Sequence, residues 1–443
     1  MSAGGGREPG ALKLAGVLAA LGMLLWISIP RLTVLILPLA VALPSAWQMR
    51  DGNGVRLPRL GALHLVLALF AAYLWANALW SENTGYAIGS AAAISAFLVL
   101  WAVGVETLVN SHPRLLTALG AGFCAGVALG GCYLLIDALG SRVIWSAVRV
   151  AAIRMANPTL PADIGPYGTT QHYVYPFVLN LGATAFTCGL FPALLVGSAF
   201  VAPVRRLWLV LAGIALGCLV VFSTIHGSSK VAIILGAAVL LLSRSFPRTT
   251  TALLAAGWVA ATVLIVPITQ AAYALGLHES QYLPDSARGR IVIWKHTGVR
   301  VAEAPVGGIG IGSTRVRRRT VSAADMERLP RTKHFLDTSI HAHNFFLQAW
   351  YELGAIGAGF LLVIGLLTLG AIRHYPEATQ PYLLATFAAV GTLCSSTFSL
   401  FALWLLASIM LTALCACLGV ALWSSRPVPL RSAAGVVEAS IHP

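Results

Sequence analysis

Charged residues are scarce in this chain, and acidic residues are the scarcest. Only 10% of the 443 residues are Asp, Glu, Lys or Arg, while 58% are hydrophobic. An ordinary soluble domain carries about 25% charged residues, so a soluble core could not hide this much apolar surface. Several apolar runs also reach the ~18 to 20 residues that cross a ~30 Å hydrocarbon layer as a helix. The sequence therefore predicts an all-α fold, a polytopic transmembrane helical bundle.

Patterns that would bind a metal or build a disulfide framework are also missing. All seven cysteines lie in apolar stretches, and none belongs to a CxxC pair or a Cys/His cluster with metal-ligand spacing. No Asp-x-Asp pair is present to hold Mg²⁺ beside a nucleotide-sugar. We therefore expect no metal and no cofactor. The net charge of +14 does not indicate a nucleic-acid partner, because Lys and Arg are spread over loops rather than striped along one face.

The apolar runs predict about 12 transmembrane helices in three regions. Residues 1–268 hold the first nine spans and an interfacial amphipathic segment near 141–172, residues 269–340 form a large loop, and residues 341–443 hold the last three spans and a tail. Arginines in alternate short loops place both termini in the cytoplasm and the two long loops on the opposite side. The spans are expected near 11–29, 32–48, 61–80, 86–108, 115–139, 173–200, 206–224, 227–243, 249–268, 342–371, 380–395 and 398–423.

Two long loops keep positive charge on the non-cytoplasmic side. Near 141–172, Arg142, Arg149 and Arg154 alternate with apolar residues, which predicts an amphipathic helix in the membrane interface. Basic residues are also frequent in 269–340. Any one arginine could simply bind a lipid headgroup, but guanidinium groups suit bidentate contact with phosphate, so the set favours an anion site for a lipid-linked diphosphate. The basic residues of the larger loop are Arg288, Arg290, Lys295, Arg300, Arg315, Arg317, Arg318, Arg319, Arg328, Arg331 and Lys333.

Polar residues gather where the large loop enters the tenth predicted span. On a helix, Asn344, Gln348 and Glu352 share one face, and His343 lies at its mouth. Polar and ionisable groups are costly in a membrane helix and usually face a cavity or a partner. A histidine near its free pKa of ~6.5 can take a proton from a hydroxyl at neutral pH. His343 is therefore a candidate general base, although His341 and His343 could instead cap the helix at the interface.

His343-Asn344, followed by nine residues, Gly354 and Gly357, resembles the signature of the O-antigen ligase family, within the superfamily of membrane O-antigen ligases and polymerases. The runs at 289–294 and 304–312 resemble that family's Arg-x-x-x-Trp and Pro-x-x-Gly-x-Gly-x-Gly segments. The position of a large loop before the His helix extends the resemblance over most of the chain.

The resemblance implies transfer of an O-antigen glycan from undecaprenyl diphosphate to lipid A-core in the periplasmic leaflet of the bacterial inner membrane. His343 would be the general base and Arg290 the diphosphate contact, with Arg288 as the second choice. Ser229-Lys230 stands where the superfamily often has a Ser-Arg pair, so Lys230 inherits a substrate contact. Direct displacement would be metal-independent and would invert the anomeric centre.

The remaining substrate-binding candidates rest on charge and position. Asn344 and Glu352 belong to the polar face beside His343, while Arg142, Arg149, Arg154 and the arginines of 315–319 are candidates for binding the phosphate-rich acceptor, with membrane lipids as further partners.

Other functions remain open at this point. An O-antigen or polysaccharide polymerase, or a protein O-oligosaccharyltransferase, would use the same lipid-linked donor and similar groups. A more distant alternative is a secondary transporter, in which Glu106, Asp137, Lys230 and Glu352 would line an ion pathway.

Overall fold

The computed structural model describes residues 8–50, 58, 60–317 and 341–425, and these residues form helices without any strand. The predicted all-α fold is therefore confirmed. In chain order the helices are α1 (Glu8–Ser28), α2 (Thr33–Arg50), α3 (Ala62–Asn77), α4 (Thr84–Val109), α5 (Pro113–Leu139), α6 (Val143–Ala156), α7 (Asn180–Phe200), α8 (Pro203–Ser223), α9 (Gly227–Ser245), α10 (Pro247–Val263), α11 (Ile265–Ala274), α12 (Asp285–Arg300), α13 (Ser313–Val316), α14 (Phe345–Gln348), α15 (Gly354–Ile372), α16 (Gln380–Cys394) and α17 (Leu403–Ser424).

The described residues contain ten helical segments that are long and apolar enough to cross a membrane, or eleven if α10 and α11 form one bent span. The chain is a multi-pass membrane protein. Every predicted span coincides with a helix, but two depart from a straight crossing. The α10–α11 pair bends by 73°, because Pro267 lacks the N–H that would bond the carbonyl of Val263. Helix α16 has only 15 residues, about 22 Å of helix.

Helix α7 lies at the centre of the bundle and contacts α1, α5, α8, α16 and α17. Its Phe191 and Leu195 side chains are among the largest that are fully buried. Small residues bring α5 against α1, since a Cβ on Gly122 would lie 2.1 Å from the Gly16 carbonyl oxygen. Close backbone approach of this kind is how membrane helices gain packing energy without a hydrophobic effect.

Helix α9 packs along α16 in the antiparallel direction, so the beginning of α9 lies beside the end of α16. The Ser228 hydroxyl donates to the Ser396 carbonyl oxygen at 3.2 Å. The last predicted span also starts later than expected, at Leu403 rather than 398, because residues 395–402 form a turn. This turn and the start of α9 form one wall of the site described below.

The span after the large loop begins irregularly. Four residues of α14 lead into a π-helical turn at Ala349–Leu353, and Gly354 follows with a φ of 67° before α15 starts. The sequence predicts an uninterrupted helix over this stretch, and the structure differs. Such π-helical turns in membrane and soluble helices are frequent at functional sites.

Candidate functional site

The His343 ring has a defined tautomer. Its Nδ1 lies 2.5 Å from the main-chain carbonyl oxygen of Thr397. A carbonyl can only accept, so Nδ1 must carry the proton, and a neutral ring then has its lone pair on Nε2. The backbone of His343 has a φ of 53°, a left-handed conformation that is uncommon outside glycine and is often retained at functional sites. His343 can therefore accept a proton at Nε2.

The surroundings keep His343 in its neutral, basic form. Burial lowers its pKa below the ordinary value, the Thr397 hydrogen bond opposes this shift, and the positive charge of Arg290 adds to it. The His341 ring lies beside it, with the two ring centroids 4.1 Å apart. Burial, followed by the charges of His343, Arg315 and Arg290, lowers the pKa of His341 to about 3.

Arg290 extends from α12 into the same region. Its side chain is half-buried, and Nη1 donates to the Ser228 hydroxyl at 3.3 Å. No carboxylate in the described part of the chain lies within ion-pair distance of Arg290. A half-buried guanidinium whose one hydrogen-bond partner among the described residues is a neutral hydroxyl has donor capacity left for an anion.

The start of α9 adds further groups that favour negative charge. The first N–H groups of a helix lack intrahelical partners, and the helix dipole is positive at this end. Lys230 lies in the first turn, with its Nζ 5.5 Å from the centroid of the Phe222 ring. The structure thus brings three predicted residues, Lys230, Arg290 and His343, to one end of the bundle.

His226, which precedes α9 and is only 4% exposed, was not among the site residues predicted from the sequence. Its Nδ1 lies 2.7 Å from the Ser229 hydroxyl and 3.4 Å from that of Thr184. Burial first, and then the charges of Arg290 and Lys230, lower the pKa of His226 to about 3. The signal available in the sequence was its position three residues before Ser229-Lys230, at the N-cap of a membrane helix.

The glycine-rich run at residues 307–312 packs against the π-helical turn. Gly308 and Gly310 have φ values of 70° and 96°, and added Cβ atoms would lie 2.3 Å from Glu352 C and 2.5 Å from Ser81 Cα. Main-chain bonds join Ile309 N to Tyr351 O and Gly310 N to Glu352 O, both at 3.0 Å. The run therefore forms a turn that is held against the start of this span.

Asn344 and Glu352 have partners within the protein. The Asn344 amide donates to the Ser395 carbonyl at 2.8 Å and accepts from Leu347 N at 3.0 Å. The Glu352 carboxylate is 1% exposed and accepts from Gly312 N at 3.0 Å and from Gln348 Nε2 at 3.3 Å. These contacts hold the loop on the helix, and the substrate-binding role of both residues stays a prediction.

Residues 212–362 match the family model described as O-Antigen ligase. In this segment the chain is similar to the O-antigen ligase family. The matched segment contains the start of α9, α12, the glycine-rich run and the His343 helix. No curated protein matches the chain.

Two other arginines predicted for the candidate site have acidic partners. Arg288, on α12, forms an ion pair with Asp285 one turn earlier. Arg317 contacts Glu82 at 2.5 Å and Glu303 at 2.7 Å. Arg315 instead stacks on Tyr86, with its Cζ 4.3 Å from the ring centroid. Arg318 and Arg319 lie outside the described residues.

The three arginines of the predicted interfacial segment lie on or beside α6, which packs on α5. Asp137, at the end of α5, accepts from Ile144 N at 2.7 Å and Trp145 N at 2.8 Å, so its carboxylate caps α6. Arg142 precedes α6, Arg149 lies within it, and Arg154 donates to the Ala162 carbonyl. A cavity of about 540 Å³ lies beside α6 and is lined partly by Arg154 and His172. No hydrogen bond or ion pair among the described residues joins these arginines to His343.

Proposed function

We propose that this protein is an O-antigen ligase that transfers a glycan from undecaprenyl diphosphate to lipid A-core at the periplasmic face of the bacterial inner membrane. The observation that carries the proposal is the pairing of His343 with Arg290. The imidazole has its basic Nε2 available because Nδ1 donates to Thr397, and the neighbouring guanidinium has no carboxylate partner among the described residues.

The donor diphosphate would bind between α12 and the start of α9. Arg290 offers a planar fork of N–H donors, Lys230 offers a point charge, and the first turn of α9 offers backbone N–H groups and a positive dipole. Such fixed donors stabilise negative charge that develops on the leaving group, and they are more effective where water is excluded. Arg288 would contribute less, since Asp285 already neutralises it.

In the transfer step, His343 Nε2 takes the proton of an acceptor hydroxyl, and the hydroxyl oxygen bonds to the anomeric carbon of the donor sugar. The bond from that carbon to the diphosphate oxygen breaks, and undecaprenyl diphosphate leaves with the electron pair. Attack from the face opposite the leaving group inverts the anomeric centre. The step balances without a metal or a cofactor.

The lipid A-core acceptor carries phosphates, so the remaining basic surface is proposed to contact it. Arg315 has an aromatic rather than an acidic partner, and Arg142, Arg149 and Arg154 belong to the interfacial segment around α6. Contacts between exposed charges weaken as salt screens them. Acceptor affinity should therefore fall with rising ionic strength, and reversing the charge of Arg315 should flatten that dependence. Equal salt dependence in the two proteins would remove Arg315 from the acceptor site.

Reconstituted transfer from undecaprenyl-diphosphate glycan to rough lipopolysaccharide tests the proposal. Wild type, His343→Ala and Arg290→Ala are compared with and without a chelator, with His374→Ala and Arg205→Ala as matched controls on exposed residues outside the site. We expect transfer by the wild type with the chelator present, its loss in the two site variants, and its retention in the controls.

Other products would replace the proposal with one of its alternatives. Lengthening of the lipid-linked glycan without modification of lipopolysaccharide would identify a polymerase, and transfer only to a protein acceptor would identify a protein O-oligosaccharyltransferase. Full activity in His343→Ala would refute the assignment of the base.

A further inference from the structure

The turn at residues 395–400, between α16 and α17, contacts His343 and is linked to Arg290 through Ser228. Three consecutive main-chain carbonyls point into the site. Ser395 O accepts from Asn344 at 2.8 Å, Ser396 O accepts from Ser228 at 3.2 Å, and Thr397 O accepts from His343 at 2.5 Å. Ser228 in turn accepts a hydrogen bond from Arg290. One turn thus fixes the His343 ring directly and Arg290 through one hydroxyl.

Gln348 holds the other end of the same turn. Its Nε2 donates to the Ser399 hydroxyl at 3.0 Å, and its Oε1 accepts from Leu400 N at 2.9 Å. Asn344 and Gln348 lie one helical turn apart and are each 2% exposed. Their amides therefore clamp the turn on both sides of Thr397, from the segment that also carries His343.

The composition of the turn explains why its carbonyls face the site. The last carbonyls of a helix lack intrahelical partners. At the end of α16, hydroxyls of the turn donate to these free carbonyls: Ser395 and Ser396 donate to Thr392 O at 2.8 and 3.1 Å. Thr397 likewise donates its hydroxyl to Leu393 O at 2.5 Å. The carbonyls of the turn itself are then available to side chains from other elements.

We propose that Asn344 and Gln348 are positioning residues, which hold the 395–400 turn so that the Thr397 carbonyl keeps the proton of His343 on Nδ1 and its lone pair on Nε2. This inference rests on the proposed function and gives the polar face beside His343 a role in orienting the base. A loosened turn would release Nδ1, and the neutral ring could then carry its proton on Nε2, where it cannot act as base.

The charged and titratable groups around the ring are few. His341 lies beside it on the same segment, Arg290 approaches from α12, and Arg315 of α13 acts on His341. The turn contributes none, because residues 395–400 are Ser, Thr, Phe and Leu. His226 and Lys230 lie at the start of α9, and Glu352 accepts a hydrogen bond from Gln348. Asn344→Ser leaves the bond between Gln348 and Glu352 in place, so a shift of the pH profile that Asn344→Ser and Gln348→Leu share reports on the His343–Thr397 bond.

The kinetic experiment compares Gln348→Leu and Asn344→Ser with wild type. Serine at 344 keeps an N-cap acceptor for Leu347 N but is too short to reach Ser395 O, so this variant retains the helix cap. We expect kcat to fall by roughly 10- to 100-fold, as small displacements of a catalytic group do, while the donor KM stays within about twofold.

The pH profile separates this role from general damage. The Thr397 bond raises the pKa of His343, so its loss should move the acidic limb of the kcat profile to lower pH. Gln380→Leu is the matched control, because Gln380 also bonds main-chain carbonyls but lies at the other end of α16. It should leave kcat and the profile unchanged. When His343 is already replaced by Ala, Gln348→Leu should lower kcat no further. The proposal would be overturned if kcat fell there as much as it does in the wild-type background. It would also be overturned if Gln348→Leu alone raised the donor KM and left kcat normal.

A readout without substrate distinguishes failure of this inference from failure of the proposed function. Nitrogen-15 spectra of histidine-labelled protein report the tautomer, with His343→Ala identifying the signal. We expect Nδ1–H in the wild type and a mixture of tautomers in Gln348→Leu and Asn344→Ser. A His343 proton that stays on Nδ1 in all three proteins would refute the positioning role of Asn344 and Gln348. If the spectra are as expected but the protein modifies no lipopolysaccharide, the positioning role of Asn344 and Gln348 is supported and the proposed ligase function is rejected.

Discussion

Two polar clusters lie side by side on the loop and helix around His343, and they differ in how far the protein satisfies them. The cationic cluster consists of Lys230, Arg290 and His343, with His226 beside them. The glycine-rich cluster consists of the run at 307–312, Asn77 and Glu352. In the first, the described part of the chain supplies no carboxylate partner to either cation.

In the glycine-rich cluster, the polar groups bond to one another. Asn77 donates to Gly307 O at 2.9 Å and accepts from Ile311 N at 2.8 Å, while Glu352 accepts from Gly312 N. A satisfied buried network stabilises and specifies a structure, whereas unfilled cationic donors are suited to a ligand. The difference shows that burial and polarity alone do not identify the residues that bind or react with a substrate. Gln348 connects the two clusters, since it bonds both Glu352 and the 395–400 turn.

The largest expected effect is that of His343→Ala in the cationic cluster. Removal of a general base typically costs about 10²- to 10⁴-fold in rate, and the variant should keep an apparent melting temperature near that of the wild type. Transfer kinetics and thermal unfolding in the same detergent measure both quantities. A variant that loses activity only because it unfolds would place His343 with the glycine-rich cluster.

Arg290→Ala should have the next largest effect, on donor binding. A hydrogen bond to a charged group contributes about 1.5 to 3 kcal/mol, which corresponds to roughly a 10- to 100-fold rise in the donor KM. Because the Arg290 charge lowers the pKa of His343, its removal should raise that pKa. The neutral base then persists only at higher pH, so the acidic limb of the kcat/KM profile should move to higher pH.

Arg290→Lys is the informative companion to that variant. It keeps the charge, and therefore the pH profile, but loses the planar fork, so most of the donor affinity should still be lost. Full donor affinity in Arg290→Lys would mean that a point charge is enough to bind the donor. An unshifted pH profile in Arg290→Ala would mean that the charge of Arg290 does not act on His343.

The glycine-rich cluster should respond in stability. Gly308→Ala places a side chain at a φ of 70°, with its Cβ 2.3 Å from Glu352 C. Gly276→Ala is the matched control, since φ is 71° there and nothing lies within 4 Å of the added Cβ. Both variants bear the conformational cost of order 1 to 3 kcal/mol, and only Gly308→Ala bears the clash as well. Thermal unfolding should therefore show a clearly lower midpoint for Gly308→Ala; equal midpoints would contradict the close packing.

Much of the fold could be predicted from the sequence, because hydropathy reports directly on the bilayer. All twelve apolar runs coincide with helices. The short α16 was also predicted, as the span 380–395. The bend after Val263 was missed, since it leaves the apolar composition unchanged. The late start of α17 has the same cause: residues 398–402 are mainly apolar, although their backbone forms a turn.

The candidate site could be predicted only as far as side-chain chemistry reveals it. Charge, spacing and family resemblance predict His343, Arg290 and Lys230 as site residues, and their roles stay predictions. The Thr397 carbonyl was missed because every residue has a carbonyl, and only tertiary packing shows which one faces the ring. The bond between Glu352 and Gly312 N was missed for a related reason, since the donor is a main-chain group of the glycine-rich run.

The smallest expected effect, and the sharpest test of the contrast between the clusters, is that of Glu352→Gln. Gly312 N and Gln348 Nε2 donate to the same carboxylate oxygen of Glu352. If the carboxylate only accepts hydrogen bonds within the glycine-rich cluster, the amide oxygen of Gln can keep both bonds, and an amide nitrogen replaces the other carboxylate oxygen. The donor KM should then stay within about twofold of the wild type, with a modest fall in thermal stability. A tenfold or larger rise in that KM at unchanged stability would instead make Glu352 part of the substrate site, as its position beside His343 first predicted, and the two clusters would have to be treated as one.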